Sequence, residues 1–214
     1  MASQNAVGRL LSGFKGFQAY YFEQRGELLE SLVRGGQHPP VMLIGCSDAR
    51  VDPAIMFHFE PGDVFTVRSV GNLVPHYDPK GLHTAIPAAL EYAVRDLVVS
   101  HIVVLGHSRC GGIRELVRLL QQPGDDREFL SRWVSNGRKA VEQVLARNEP
   151  DAPLNPVEVE QAVIALSVEN LLTYPWIAER VRREQLQLHG WWTDLRDGEL
   201  WHLDQIDGLF KKKL

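Results

Sequence analysis

With 214 residues, 44% of them apolar and 23% charged, the chain has the length and balance of one globular domain with a substantial core. A net charge of −4 opposes a nucleic-acid partner, and the apolar runs at 41–45 and 102–106 fall far short of the ~20 residues that span a bilayer, which excludes a membrane-spanning helix. Two cysteines, Cys46 and Cys110, exclude a disulfide-dense secreted scaffold.

Before Glu23 the only charged residues are Arg9 and Lys15, the acid-poor start of some targeting peptides. It has no continuous apolar segment and no small-residue cleavage site, and its apolar residues scatter as on an amphipathic helix, so cytoplasmic residence is expected. Residues 1–34 are expected to form an N-terminal helical arm, and 35–214 the main domain.

Three short apolar runs, 41–45, 64–67 and 101–106, read as strands separated by segments of helical period. Pro53 and Pro61 follow the first run, and Pro75, Pro79 and Gly81 follow the second, marking loops. Ile86, Leu90, Ala93, Val94 and Leu97 share one helical face. Ile113, Leu116, Val117 and Leu120 do the same directly after the third run.

The stretch 125–147 is amphipathic through Phe129, Leu130, Trp133, Val141, Val144 and Leu145, with a break at Gly137. Pro150, Pro153 and Pro156 suggest a loop. Val159, Val163, Leu166 and Leu171 outline another helix, and Pro175 restarts the chain. Leu186, Leu188 and residues 191–203, broken at Asp197 and Gly198, read as a hairpin, and Lys211, Lys212 and Lys213 as a solvated end. The expected class is α/β, with a mainly parallel central sheet flanked by helices and an antiparallel hairpin at one edge. Such sheets bind ligands beyond the carboxyl ends of their strands, where Cys46 and His107 fall.

Cys46 and Asp48 stand two apart on extended chain, so their side chains share one side. His107 and Cys110 are three apart at a helix start, which brings them to one face. Two cysteines, a histidine and a carboxylate suit zinc better than magnesium or calcium. Three ligands from Cys46, His107 and Cys110 would leave a fourth position for water. Arg50 could grip Asp48 through paired hydrogen bonds and keep it off the metal. Taken singly, Asp48 with Arg50 could be a surface ion pair and His107 a structural histidine. Gly111 and Gly112 could expose N–H groups to an anion or mark tight packing.

The segments Cys46-Ser47-Asp48-Ala49-Arg50 and Gly106-His107-Ser108-Arg109-Cys110-Gly111-Gly112 strongly resemble the two signatures of the β-class carbonic anhydrases. The resemblance continues through Pro61-Gly62-Asp63, the segment from Arg68 to Val74, Glu91-Tyr92-Ala93-Val94, the segment from Asn170 to Pro175, and His189-Gly190-Trp191. It covers nearly all of the chain after about residue 35.

This resemblance implies zinc on Cys46, His107 and Cys110, with an Asp48–Arg50 dyad orienting zinc-activated water that attacks carbon dioxide to give bicarbonate and a proton. The plant-like, open-site branch would line its pocket with Gln37, Phe65, Val70 and Tyr92, and Gln37 and the Gly111 amide would hydrogen-bond substrate oxygens. The other branch places the dyad aspartate on zinc and usually has Trp three residues before the first cysteine; here that residue is Leu43, which favours the open form. The family also implies a homodimer or larger homo-oligomer, with a helix from Ala6 to Tyr21 wrapping a partner. Other readings are the closed form with Asp48 on zinc, a zinc hydrolase of carbonyl sulfide or carbon disulfide, a noncatalytic zinc module, and a metal-free anion-binding protein.

Overall fold

The computed structural model describes residues 5–81, 85–122, 124, 127–149 and 152–214; Asp125 and Pro150 of the sequence reading lie outside them. The chain divides into two compact units, Met1–His38 and Pro39–Leu214. In the first, α1 (Ala6–Gln18) runs on through a wider π-type turn over Ala19–Gln24, and α2 (Gly26–Gly35) follows after Arg25. None of the residues in these elements is buried.

The second unit opens with β1 (Val41–Cys46), a short α3 (Pro53–Phe57) and β2 (Val64–Ser69). Then come α4 (Ala85–Glu91), continued by a π-type turn over Tyr92–Asp96, β3 (His101–His107) and α5 (Gly111–Gln121). The helices α6 (Leu130–Val134), α7 (Arg138–Arg147), α8 (Pro156–Leu171) and α9 (Pro175–Arg182) lead to β4 (Gln187–Asp194), β5 (Glu199–Leu203) and β6 (Phe210–Lys212).

The six strands form one sheet in the order β2-β1-β3-β4-β5-β6. The pairs β1–β2, β1–β3 and β3–β4 are parallel, and β4–β5 and β5–β6 antiparallel, as the α/β reading expects. From β1 the chain adds β2 on one side and β3 on the other, so strand order reverses at β1, and in such sheets ligands bind beyond the carboxyl ends of the strands at that point. Cys46 ends β1 and His107 ends β3.

Both faces of β1 and β3 are apolar, the pattern of parallel strands buried on both sides. Met42, Ile44, Ile102 and Val104 pack under Leu90 of α4, Ile164 and Leu171 of α8, and Ile177 of α9. Leu43, Val103 and Leu105 face the other way, against Met56 and Phe57 of α3. Beyond the strand ends a helical cluster gathers Ile113 and Leu116 of α5, Val141 and Val144 of α7, and Val159 and Val163 of α8 around Cys46 and Cys110. The two cysteines therefore sit where the sheet core meets the helical core.

Two expectations need correction. Pro156 opens α8 rather than lengthening the loop: Pro lacks the N–H that a first turn leaves unpaired, and Asn155 caps the end by accepting from Val157 N at 3.1 Å. Lys211 and Lys212 belong to edge strand β6, where Lys211 pairs with Asp204 and Asp207 and Lys212 with Glu199. Lysines on an edge strand discourage further strand pairing.

Candidate active site

Cys46 Sγ and Cys110 Sγ stand 3.8 Å apart, and with a ring nitrogen of His107 their ligand-type atoms all lie within 4.8 Å of one another. All three residues are buried, His107 to 1% exposure. His107 Nδ1 lies 3.0 Å from Ser108 O; because a carbonyl can only accept, that nitrogen carries the proton and Nε2 presents a lone pair. Nε2 is buried and has no hydrogen-bond partner. Two sulfurs bound at ~2.3 Å to one tetrahedral zinc would be about 3.8 Å apart. The spacing, the orphaned nitrogen and the soft donor set all fit zinc.

The loop after β1 is held from three sides. Ser47 N continues the ladder to Ser69 O at 2.8 Å. Arg68 on β2 donates from Nε to Cys46 O (2.9 Å), from Nη2 to Asp48 O (2.8 Å) and from Nη1 to Asp52 Oδ2 (2.8 Å). Arg50 then grips Asp48, with backbone N and Nε donating to Oδ1 at 2.9 Å each and Nη2 to Oδ2 at 2.7 Å. Asp48 Oδ2 remains 4.0 Å from His107 Nε2.

The second loop is equally fixed. Ser108 N donates to Thr193 O at 2.9 Å, and its hydroxyl donates to Asp194 at 3.2 Å while accepting from Leu195 N at 2.9 Å. Arg109 takes a left-handed conformation (φ 58°), which turns the chain so that Cys110 points back at Cys46 before α5 begins. Gly112 meets the packing expectation, since a Cβ there would lie 2.7 Å from Val70 Cγ1. At Gly111 a Cβ would meet nothing within 4 Å.

The electrostatics follow from these contacts. The Arg50 side-chain hydrogen bonds hold Asp48 well below the usual carboxylate range, helped by the Arg50 N–H. Cys46 is drawn down chiefly by its hydrogen bond with Cys110, which pushes Cys110 up in turn. Burial alone would lower His107, but the neighbouring Cys46 sulfur, the Ser108 carbonyl on Nδ1 and the charge of Asp48 outweigh it and raise it.

Cys46, Asp48, Arg50, His107, Cys110 and Gly111 thus come together, with Val70 beside α5. Phe65 and Tyr92 do not join them. They pair with each other, ring centroids 5.8 Å apart, and Phe65 lies four residues before Ser69, the partner of Cys46, or about 13 Å along β2. Gln37 belongs to the first unit, where it is exposed beyond α2.

Sequence reading missed Glu160, a buried acid whose Oε1 accepts from Cys110 N and Oε2 from Trp192 Nε1, each at 3.1 Å. Its signal was an acid on the buried stripe Glu160, Ile164, Ser167 and Leu171 of a helix. The clamp made by Arg68 was likewise not anticipated.

A family model for carbonic anhydrase matches residues 41–200. Over 180 residues, 83% of the chain, the sequence is 42% identical to a protein of Arabidopsis thaliana named beta carbonic anhydrase 5, chloroplastic. Over 170 residues, 78% of the chain, it is 40% identical to that plant's beta carbonic anhydrase 6, mitochondrial. The chain spans 59% and 58% of the length of these two relatives. Among solved structures, the β-carbonic anhydrase CcaA aligns at TM-score 0.84 and 33% identity, over 97% of this chain and 92% of that one. One of two tetrameric β-carbonic anhydrases of Sordaria macrospora aligns at 0.76 and 28%, over 97% and 99%.

The relatives' names correct the expectation of cytoplasmic residence, since both are organellar. Lack of a continuous apolar segment and cleavage site counts against a secretory leader alone, since organellar leaders are amphipathic and poor in acid. Matched by the family model along most of its length, and carrying Cys46, His107 and Cys110 together at the carboxyl ends of β1 and β3, the chain belongs to the β-class carbonic anhydrases.

Proposed function

We propose that the protein interconverts carbon dioxide and bicarbonate at a zinc ion held by Cys46 Sγ, His107 Nε2 and Cys110 Sγ. The observation that carries this reading is the buried, unpartnered Nε2 of His107 beside two sulfurs and 4.0 Å from a carboxylate that stays ionised. Zinc, when bound, would act as a Lewis acid that makes water a nucleophile near neutral pH. Asp48, ionised and fixed by Arg50, accepts a hydrogen bond from the attacking water and directs its lone pair toward carbon dioxide. One water and one carbon dioxide give bicarbonate and a proton. The N–H of Gly111, an exposed residue at the start of α5, donates to a product oxygen.

The open form is favoured because Arg50 engages both oxygens of Asp48, holding the carboxylate in the dyad. Leu43 stands where the closed branch usually has Trp. All three guanidinium nitrogens of Arg68 are engaged by the chain's own oxygens rather than offered to an anion.

Phe65 and Tyr92 line this pocket only across an interface between copies, given their distance from the ligands in one chain. Gln37 is assigned to the pocket by family resemblance alone. A homo-oligomer is supported by the tetrameric relatives of Sordaria macrospora and by the exposed Leu10, Leu11 and Phe14 of α1, apolar residues that need cover.

The deciding experiment is stopped-flow carbon dioxide hydration on zinc-quantified protein beside Asp48→Ala. Rapid hydration that the substitution removes supports the proposal. Stoichiometric zinc without hydration would turn the reading to carbonyl sulfide or carbon disulfide, or to a noncatalytic zinc module.

A further inference from the structure

Behind Cys110 lies a carboxylate that the reaction does not use. Glu160 is 5% exposed on α8, and among the described residues no lysine or arginine pairs with it. A buried carboxylate without a cation is costly unless strong donors face it. The donors facing it at 3.1 Å are Cys110 N–H and Trp192 Nε1–H, and the Arg109 N–H also turns toward it.

The first belongs to a peptide unit with a second engagement. The carbonyl of the Arg109–Cys110 peptide accepts from Arg50 Nη2 at 3.1 Å, while its N–H donates to Glu160 Oε1 at 3.1 Å. A trans peptide is rigid and planar, with C=O and N–H pointing opposite ways, so fixing one end orients the other. The same peptide follows Arg109, whose left-handed conformation is uncommon for a residue with a side chain and has to be held by its surroundings. One rigid plane therefore links α8 to the arginine of the dyad, with the Cys110 side chain attached at its edge.

We infer that Glu160 is a positioning residue: through the Arg109–Cys110 peptide it sets at once the direction of the Cys110 sulfur and the place of Arg50, and through Arg50 that of Asp48. This rests on the zinc reading of Cys46, His107 and Cys110. Groups that orient metal ligands from behind typically change metal affinity or activity 10–100-fold when replaced.

The chain's two cysteines make the test direct, since [15N]cysteine labelling yields two backbone amide signals, Cys46 and Cys110. In full-length Glu160→Gln the charge is gone, and one amide cannot accept at both oxygen positions. The Cys110 amide proton is expected to move upfield and exchange at least about tenfold faster with Cys46 unmoved, and carbon dioxide turnover to fall about 10–100-fold with zinc still stoichiometric. Arg50→Ala, an exposed site, should also move the Cys110 amide, and adding Glu160→Gln to it should cost far less than in the wild type. Trp192→Phe removes the side-chain donor and should keep the Cys110 signal and turnover within about threefold of wild type.

The inference is overturned if Glu160→Gln leaves the Cys110 amide in place, or if Trp192→Phe costs as much as Glu160→Gln, which would mark core packing alone. Should Glu160→Gln fail to fold, an unmoved Cys110 amide in Arg50→Ala overturns it. The amide signals are read in metal-free protein as well, so a wild type that binds no zinc sinks the zinc reading without being mistaken for this result.

Discussion

Arg50 holds Asp48 by both carboxylate oxygens, Nε to Oδ1 at 2.9 Å and Nη2 to Oδ2 at 2.7 Å, and the same Nη2 reaches across to the Arg109 carbonyl. The pair is thus part of the frame that joins the two ligand-bearing loops.

Arg50→Ala should therefore cost position rather than charge. A free aspartate titrates near ~3.9, so Asp48 stays ionised at neutral pH with or without Arg50. The folded-state value is depressed, so stability from the pair is fully present above ~3.9 and is lost as pH falls through the lower folded value. Between pH 6 and 9 nothing in the pair titrates. The expected result is a fall in kcat/KM of about 10–100-fold that raising the pH does not restore, read from the pH–rate profile. Recovery of full activity at pH 9 would show that charge, not placement, was lost.

The donor set also fixes a pH response. Two thiolates cancel charge that three neutral imidazoles would leave on zinc, and three-histidine sites work with a group titrating near ~7. Hydration by this protein is expected to rise on the alkaline side of that value. A flat profile from about pH 6.5 to 9 would contradict it.

Metal removal should be visible in stability as well as rate. A ligand that binds only the folded state stabilises it by about 2.7 kcal/mol when present at 100 times its Kd. Treating the protein with a strong chelator should lower its Tm, and returning zinc should restore it. In Cys110→Ser the chelator should shift Tm little, because the set of three ligands is broken. An equal shift in both proteins, by calorimetry, would place the metal elsewhere.

What could be read from the sequence follows the range of the interactions. The strands were legible because parallel strands buried on both faces must be apolar throughout, as in Val41–Cys46. The dyad was legible because Asp48 and Arg50 are two residues apart. Glu160 meets Cys110 across 50 residues and Arg50 meets the Arg109 carbonyl across 59, contacts that exist only once α8 and β3 are packed. β6 was hidden because edge strands carry lysines where inner strands carry apolar residues. Phe65 and Tyr92 entered the pocket by resemblance alone, and no spacing in one chain brings them to His107.

The last prediction concerns how closely α8 presses on the strand end that carries His107. A Cβ at Gly106 would lie 2.5 Å from Ile164 Cδ1 and 2.8 Å from Ile164 Cγ1, closer than carbon atoms approach. Gly106→Ala must therefore push Ile164 or the end of β3 aside, and overpacking of this kind typically costs about 1–3 kcal/mol. Because the displaced backbone leads directly into His107, zinc affinity should weaken along with Tm. Ile164→Val removes the Cδ1 methyl, and in combination with Gly106→Ala should return part of the lost stability, so the two substitutions will not add. Gly111→Ala is the control for stability: with nothing within 4 Å of the new atom, its Tm should stay close to wild type. Calorimetry with a competitive zinc titration reads both quantities. If Gly106→Ala and Gly111→Ala prove equally stable, α8 is free to move away from the sheet, and its hold on the strand end is weaker than these contacts imply.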